Sequence, residues 1–222
     1  MEKHIVKVLA TRMVTHNVKQ FDIEKPRGYK FIAGQATDVS LHRKGLEGDL
    51  HPFTFTSLND WDKLQFTIKL YTDHDGMTNK LQDIEPGDEL IIHDVWGAIN
   101  YKGPGLFIAG GSGVTPFIAI LRQLYKDDNI NDCKLLFSNK TSKDIILCDE
   151  FEMMLGVNFI NILDDSNDRN IMEGHIDKQL LAIYARDDVK YYYVCGPDKF
   201  VEVMVKYLEE LGKKKDQIII EQ

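Results

Sequence analysis

Over the first hundred residues, apolar positions come in short runs broken at close intervals by turn residues. Residues 5–13 are largely apolar and β-branched, residues 18–23 alternate, and Lys25-Pro26-Arg27-Gly28 marks a turn. Residues 36–41, 53–57, 64–70 and 89–94 continue as short strands, punctuated by Gly45, Gly48, Pro86-Gly87-Asp88 and Gly97. One short helix is expected at Met77-Thr78-Asn79-Lys80-Leu81, after an Asp-Gly opening. Many short strands with regular turns predict a closed or nearly closed antiparallel β-barrel.

The pattern changes after Lys102-Gly103-Pro104-Gly105. Residues 106–109 form a continuous apolar run, the mark of a strand buried on both faces. Further strands are expected at 133–137, 157–163, 191–195 and 218–220, alternating with helices at 116–127, 142–155, 177–184 and 199–211. Gly212 stands in the C′ position of the last helix. Strands alternating with helices predict a parallel-sheet α/β domain. The chain therefore reads as two domains, residues 1–101 and 102–222.

The sharpest local feature is Gly110-Gly111-Ser112-Gly113-Val114-Thr115-Pro116, between a strand and a helix. Glycine lets backbone approach a ligand, proline suits the first helical position, and the helix N-terminus attracts phosphate. The dinucleotide fingerprint Gly-x-Gly-x-x-Gly is met in part, with Pro116 at its third glycine. A P-loop is excluded because no Gly-Lys-Ser/Thr follows. A nucleophile elbow around Ser112 has Val114 where glycine is required, but Asp164 or Asp165 and His175 follow in triad order. A serine hydrolase is thus the alternative chemistry.

Four motifs stand in one order: His51-Pro52-Phe53-Thr54, Gly76-Met77-Thr78, the glycine loop, and Cys195-Gly196-Pro197. With Gly34-Gln35 early in the chain, this series resembles the ferredoxin–NADP reductase superfamily over nearly the whole sequence. The resemblance implies a flavin-binding barrel and an NAD(P)-binding α/β domain. Phe53 would lie against the flavin, and Thr54 would act at its hydride-accepting N5. Ile68 and Lys69 would border the ring, and Gly76, Met77 and Thr78 would bind its phosphates. Gly111, Ser112, Gly113 and Thr115 would contact the pyridine nucleotide. Cys195, with Gly196 and Pro197, would place the nicotinamide; Thr54 and Cys195 are the implied catalytic residues. Lys140 would meet the adenosine end and favour NADPH over NADH. His51 stands where the family has arginine, and it lacks arginine's permanent charge and bidentate grip. That substitution leaves FMN beside FAD, and a nucleotide-binding module with weakened flavin binding as a second reading.

The implied activity is hydride transfer from NADPH or NADH to FAD, then electron delivery to a ferredoxin, flavodoxin or oxygenase-type partner. Composition fits a separate acceptor. Cys133, Cys148 and Cys195 are too few for a resident four-cysteine cluster and match no zinc spacing. Seven scattered histidines add no metal site, and the acidic run 164–168 lacks the EF-hand glycine and glutamate. A net charge of −8 argues against nucleic acid as partner. No stretch reads as a signal peptide or membrane span, so a soluble cytoplasmic protein is expected.

Overall fold

The computed structural model describes residues 2–72, 76–97, 99–165 and 172–221. The chain divides into two compact units, Met1–Ala98 and Ile99–Gln222. The sequence pattern put this seam three residues later, and packing on Tyr193 explains the shift. The Tyr193 hydroxyl accepts the N–H groups of Lys102 (2.9 Å) and Gly103 (3.1 Å) and donates to the Gly103 carbonyl (2.7 Å). Tyr101 stacks on the same ring at 5.9 Å. The connecting segment is thereby claimed by the second unit.

In the first unit, strands β1 (His4–Thr15), β2 (Val18–Glu24), β3 (Gln35–Leu41), β4 (His51–Thr54), β5 (Lys63–Lys69) and β6 (Glu89–Gly97) form a six-stranded antiparallel sheet in the order β4-β3-β6-β1-β2-β5. Its two edges meet: Phe55 bridges Phe66, and the Thr56 N–H donates to the Gln65 carbonyl at 2.8 Å. That contact makes the sheet a nearly closed barrel and removes the open-edge liability. Alternation along the strands sends Val6, Val8, Phe21, Ile23, Leu64, Phe66 and Ile68 inward to one apolar core. The short helix α1 (Met77–Lys80) packs Met77 onto that core, and Leu81 joins it from the 3₁₀ turn Leu81–Asp83.

The second unit runs β7 (Gly105–Gly110), α2 (Thr115–Lys126), β8 (Lys134–Asn139), α3 (Cys148–Leu155), β9 (Phe159–Leu163), β10 (Met172–Glu173), α4 (Lys178–Tyr184), β11 (Tyr191–Cys195), α5 (Asp198–Glu210) and β12 (Ile218–Ile220). All its strand pairings are parallel, in the order β10-β9-β8-β7-β11-β12. The order reverses beside β7, so the crevice beyond the carboxyl ends of β7 and β11 is the topological switch point where such sheets bind ligands. Leu106, Ile108, Leu136, Tyr192 and Val194 face Leu181 of α4 and Met204 and Leu208 of α5. On the opposite face Phe107 meets Phe117 of α2, and Phe137 meets Phe151 of α3.

Two expectations are corrected. The helix expected over 142–155 is broken. Thr141 and Asp144 close a capping box around a 3₁₀ turn, Ile145 and Ile146 are buried, and Leu147 turns left-handed (φ 52°) before α3 starts. Strand β10 was missed because its two residues are exposed and give no apolar signal. Residues 166–168 of the acidic run lie outside the described residues. Among the described residues, no helix is long and apolar enough to cross a membrane.

Candidate functional site

In the first unit, β4 pairs His51 with Val39, Pro52 with Asp38, Phe53 with Thr37 and Thr54 with Ala36. Phe53 is half-buried, its ring 6.4 Å from that of Phe66. Thr54 is buried, and its hydroxyl has no hydrogen-bond partner among the described residues. Pro52 is exposed. His51 does not replace the family's arginine as a free cation, because its Nε2 lies 2.9 Å from Asp49 Oδ1. Ile68 points into the core, while Lys69 ends β5 with its ammonium 5.7 Å over the Tyr71 ring. A cavity of 630 Å³ opens there, lined by Met13, His16, Lys69, Tyr71, Thr72 and Gln82 among others.

The segment expected to hold phosphate offers local backbone groups rather than a long helix. α1 has four residues and no side-chain cap at Gly76. So short a helix sums few peptide dipoles, so its attraction for anions reduces to local amide N–H groups. The Thr78 hydroxyl already accepts the Tyr71 N–H at 3.4 Å. Even so, a hydroxyl with no partner among the described residues on the buried Thr54, the half-buried Phe53 ring beside it and a hollow at Lys69 fit a planar ring with polar edges.

In the second unit the glycine loop forms a 3₁₀ turn, Gly111–Val114, that leads directly into α2. Gly111 takes φ 53°, and a Cβ built there meets nothing within 4 Å. Gly113 is different: a Cβ there would lie 2.4 Å from Cys195 O and 2.4 Å from Gly196 N. Its side chain is absent because the Cys195-Gly196 backbone occupies that space, which joins two of the four motifs. A Cβ on Gly196 would in turn lie 2.7 Å from the Phe200 ring. The Thr115 hydroxyl donates to the Ser112 carbonyl at 3.0 Å. Pro116 is the second residue of α2 rather than the first, because Thr115 opens the helix. Pro197 is exposed at the N-cap of α5.

Cys195 ends β11 at 5% exposure. Burial first, and then the nearby Glu221 carboxylate, push its thiol up to about 12. The thiol donates to Glu221 Oε2 at 3.6 Å. Cys195 is therefore a neutral thiol and not a thiolate. Glu221 was missed in the sequence, because a glutamate 26 positions away carries no local pattern.

Lys140 is exposed just past β8. Its carbonyl accepts the Asp165 N–H at 3.0 Å, and the Asn139 carbonyl accepts the Asp164 N–H at 3.0 Å. Two acids from the end of β9 thus sit beside the lysine. Asn139 is 6% exposed, and neither polar atom of its side chain has a hydrogen-bond partner among the described residues.

The hydrolase alternative finds no support in this geometry. An elbow serine needs a strained, positive-φ backbone, but that conformation belongs to Gly111. His175 is 80% exposed and pairs with Asp164 (2.8 Å), with no hydrogen bond to Ser112.

Comparison with known proteins agrees with the two units. A family described as "FAD-binding domain" matches residues 3–88, and one described as "Oxidoreductase NAD-binding domain" matches residues 107–206. A barrel of this kind followed by a nucleotide-binding parallel sheet defines the two-domain class that binds a flavin and a pyridine nucleotide. The chain combines these two domain families in the architecture of the ferredoxin–NADP reductases. It is 29% identical over 210 residues to the reductase component of propane 2-monooxygenase from Rhodococcus jostii, covering 87% of this chain and 56% of that protein. It is 27% identical over 183 residues to NADH-cytochrome b5 reductase 1 from Bos taurus, covering 68% of this chain and 60% of that protein. The chain thus spans little more than half the length of these relatives. A ferredoxin NADP+ reductase from Neisseria gonorrhoeae with bound FAD and NADP shares the fold at a TM-score of 0.84 and 19% identity, covering 98% of this chain and 97% of that one.

Proposed function

We propose that the chain is an NADH-dependent flavin reductase that hands electrons to a separate carrier protein. The observation that carries this reading is the pairing, in one chain, of an FAD-binding barrel with an NAD-binding sheet. At the switch point of that sheet the glycine turn is packed on Cys195-Gly196. Bound FAD would supply a ring that accepts hydride and releases electrons one at a time. Phe53 would cover that ring, the free Thr54 hydroxyl would donate to its polar edge, and Ile68 and Lys69 would border it. Gly76, Met77 and Thr78 would hold the phosphates with backbone amides. Gly111, Ser112, Gly113 and Thr115 would line the dinucleotide, with Cys195, Gly196 and Pro197 excluding water beside the nicotinamide.

Asp164 and Asp165 beside Lys140 support NADH over NADPH. A carboxylate accepts the ribose hydroxyls but repels a 2′-phosphate. One relative, NADH-cytochrome b5 reductase 1, is named for NADH, which points the same way. The name of another, a monooxygenase reductase component, supports an acceptor on a different polypeptide.

The test is a visible spectrum of the purified chain with added FAD. Flavin bands that bleach anaerobically with NADH, and more slowly with NADPH, are expected. Failure to take up flavin overturns the proposal in favour of a nucleotide-binding module. Equal bleaching by both nucleotides overturns the NADH preference alone.

A further inference from the structure

Lys19 lies on β2 at 6% exposure, an unusual place for a lysine. Its ammonium donates to the carbonyls of Gln82 (2.9 Å) and Ile84 (2.7 Å). It also lies 3.9 Å from Glu85 Oε1 and 5.4 Å over the Phe21 ring. Both carbonyls belong to the 3₁₀ turn that follows α1 or to its C-cap. A cation at that end complements exposed carbonyls and the negative end of the turn.

What else holds α1 is limited. It has no side-chain cap at its start and spans a single turn. Met77 and Leu81 anchor it through the core. Apolar contacts set its depth but are non-directional, and the Tyr71 N–H bond to the Thr78 hydroxyl is long at 3.4 Å, which leaves play in its rotation and its shift along the barrel. Two charge-assisted hydrogen bonds from one buried ammonium are directional and remove that freedom.

We infer that Lys19 is a positioning residue for the segment 76–80. It clamps the 3₁₀ turn that continues from that segment, Leu81–Asp83 and its C-cap Ile84, so that the start of the segment presents its amides in one arrangement. This rests on the proposed function, which gives 76–78 to the flavin phosphates. Lys19 touches no ligand itself; it removes the ordering cost that a loose phosphate cradle would incur on binding.

The test compares flavins with and without phosphate on the full chain. Lys19→Met is expected to raise the Kd for FAD about tenfold, ~1.4 kcal/mol. The Kd for riboflavin, which carries the ring and ribityl chain but no phosphate, is expected to stay unchanged. Lys19→Arg, which keeps the donors, is expected to restore FAD binding. An unchanged FAD affinity in Lys19→Met overturns the inference, and so does a parallel loss of riboflavin, which would mean that the whole barrel is disturbed. Should Lys19→Met not fold, Lys19→Gln keeps a donor for one carbonyl and must show weakened FAD binding with riboflavin unchanged. Wild-type FAD affinity in Lys19→Gln overturns the inference. If the unaltered chain binds no FAD, the proposed function fails and takes this inference with it. If it binds FAD and the variants do not differ, only the inference fails.

Discussion

Two glycines flank Ser112, and a methyl group would test them differently. At Gly113 the added carbon would sit 2.4 Å from backbone atoms of Cys195 and Gly196, which have no room to give. Gly113→Ala is therefore expected to cost at least the ~1–3 kcal/mol of core overpacking and to weaken NADH binding by pushing the glycine turn off β11. At Gly111 the space is open and only φ 53° resists, so Gly111→Ala should cost about 1 kcal/mol. Denaturant unfolding of the two variants decides the matter, and equal losses would refute the distinction. From the sequence both glycines read as ligand contacts; whether a missing Cβ serves a ligand or the protein's own backbone is a tertiary fact with no local signature. The Cys195 thiol gives a pH prediction at the same scale. Its folded value lies at about 12, raised from 9.0 by burial and then by Glu221. Between those values the unfolded chain has lost the thiol proton and the folded chain has kept it. The folded state then binds more protons, so stability falls as pH rises from about 9 toward about 12. Unfolding midpoints across that range should drop less steeply in Cys195→Ala; an identical slope would show that the thiol is not the group responsible.

At the level of elements, α2 matters because the glycine turn is its entrance. Its middle is held by Arg122, 8% exposed, whose guanidinium grips Glu150 of α3 through Nε–Oε1 (2.5 Å) and Nη2–Oε2 (2.8 Å). The pair is bidentate and shielded, unlike a surface ion pair. Glu150→Ala removes the bidentate carboxylate from a buried guanidinium and should destabilise the second unit by about 1–3 kcal/mol, since hydrogen bonds to charged groups each contribute about 1.5–3 kcal/mol and Glu150 is partly exposed. A chemical-denaturation midpoint indistinguishable from that of the unaltered chain would remove the pair from the argument. Neither residue could be paired from sequence, since 28 positions separate them and α3 itself was misjudged. Residues 142–155 have helical apolar spacing, but the Thr141–Asp144 capping box closes a turn early and the left-handed Leu147 restarts the chain. Elements with strong periodicity and clear ends were legible: β11 and β12 match their expected limits. Elements without an apolar signal, such as β10, were not.

At the scale of the whole molecule, the alternation of barrel grammar and α/β grammar was legible because each period is written into dozens of residues. Its seam shifted by three residues because Tyr101 stacks on Tyr193, far along the chain. Charge is the remaining property of the whole, and it bears on how electrons leave. The chain carries −8, and among the described residues its three cysteines are unpaired thiols; under the proposed function an acceptor that approaches from solution meets the field of that charge. At low ionic strength the field of the full net charge reaches about 30 Å, and near 0.15 M it is cut to about 8 Å. A small trianion such as ferricyanide is then repelled by the molecule as a whole in dilute buffer and much less in salt. Its reduction by the NADH-supplied protein is expected to accelerate as salt is raised, and reduction of a cationic one-electron acceptor to slow over the same range. The two slopes must have opposite signs for net charge to govern the approach. Ferricyanide reduction that slows with salt would instead mean that a local basic surface around the electron exit outweighs the acidic whole. The natural carrier would then be sought among acidic proteins.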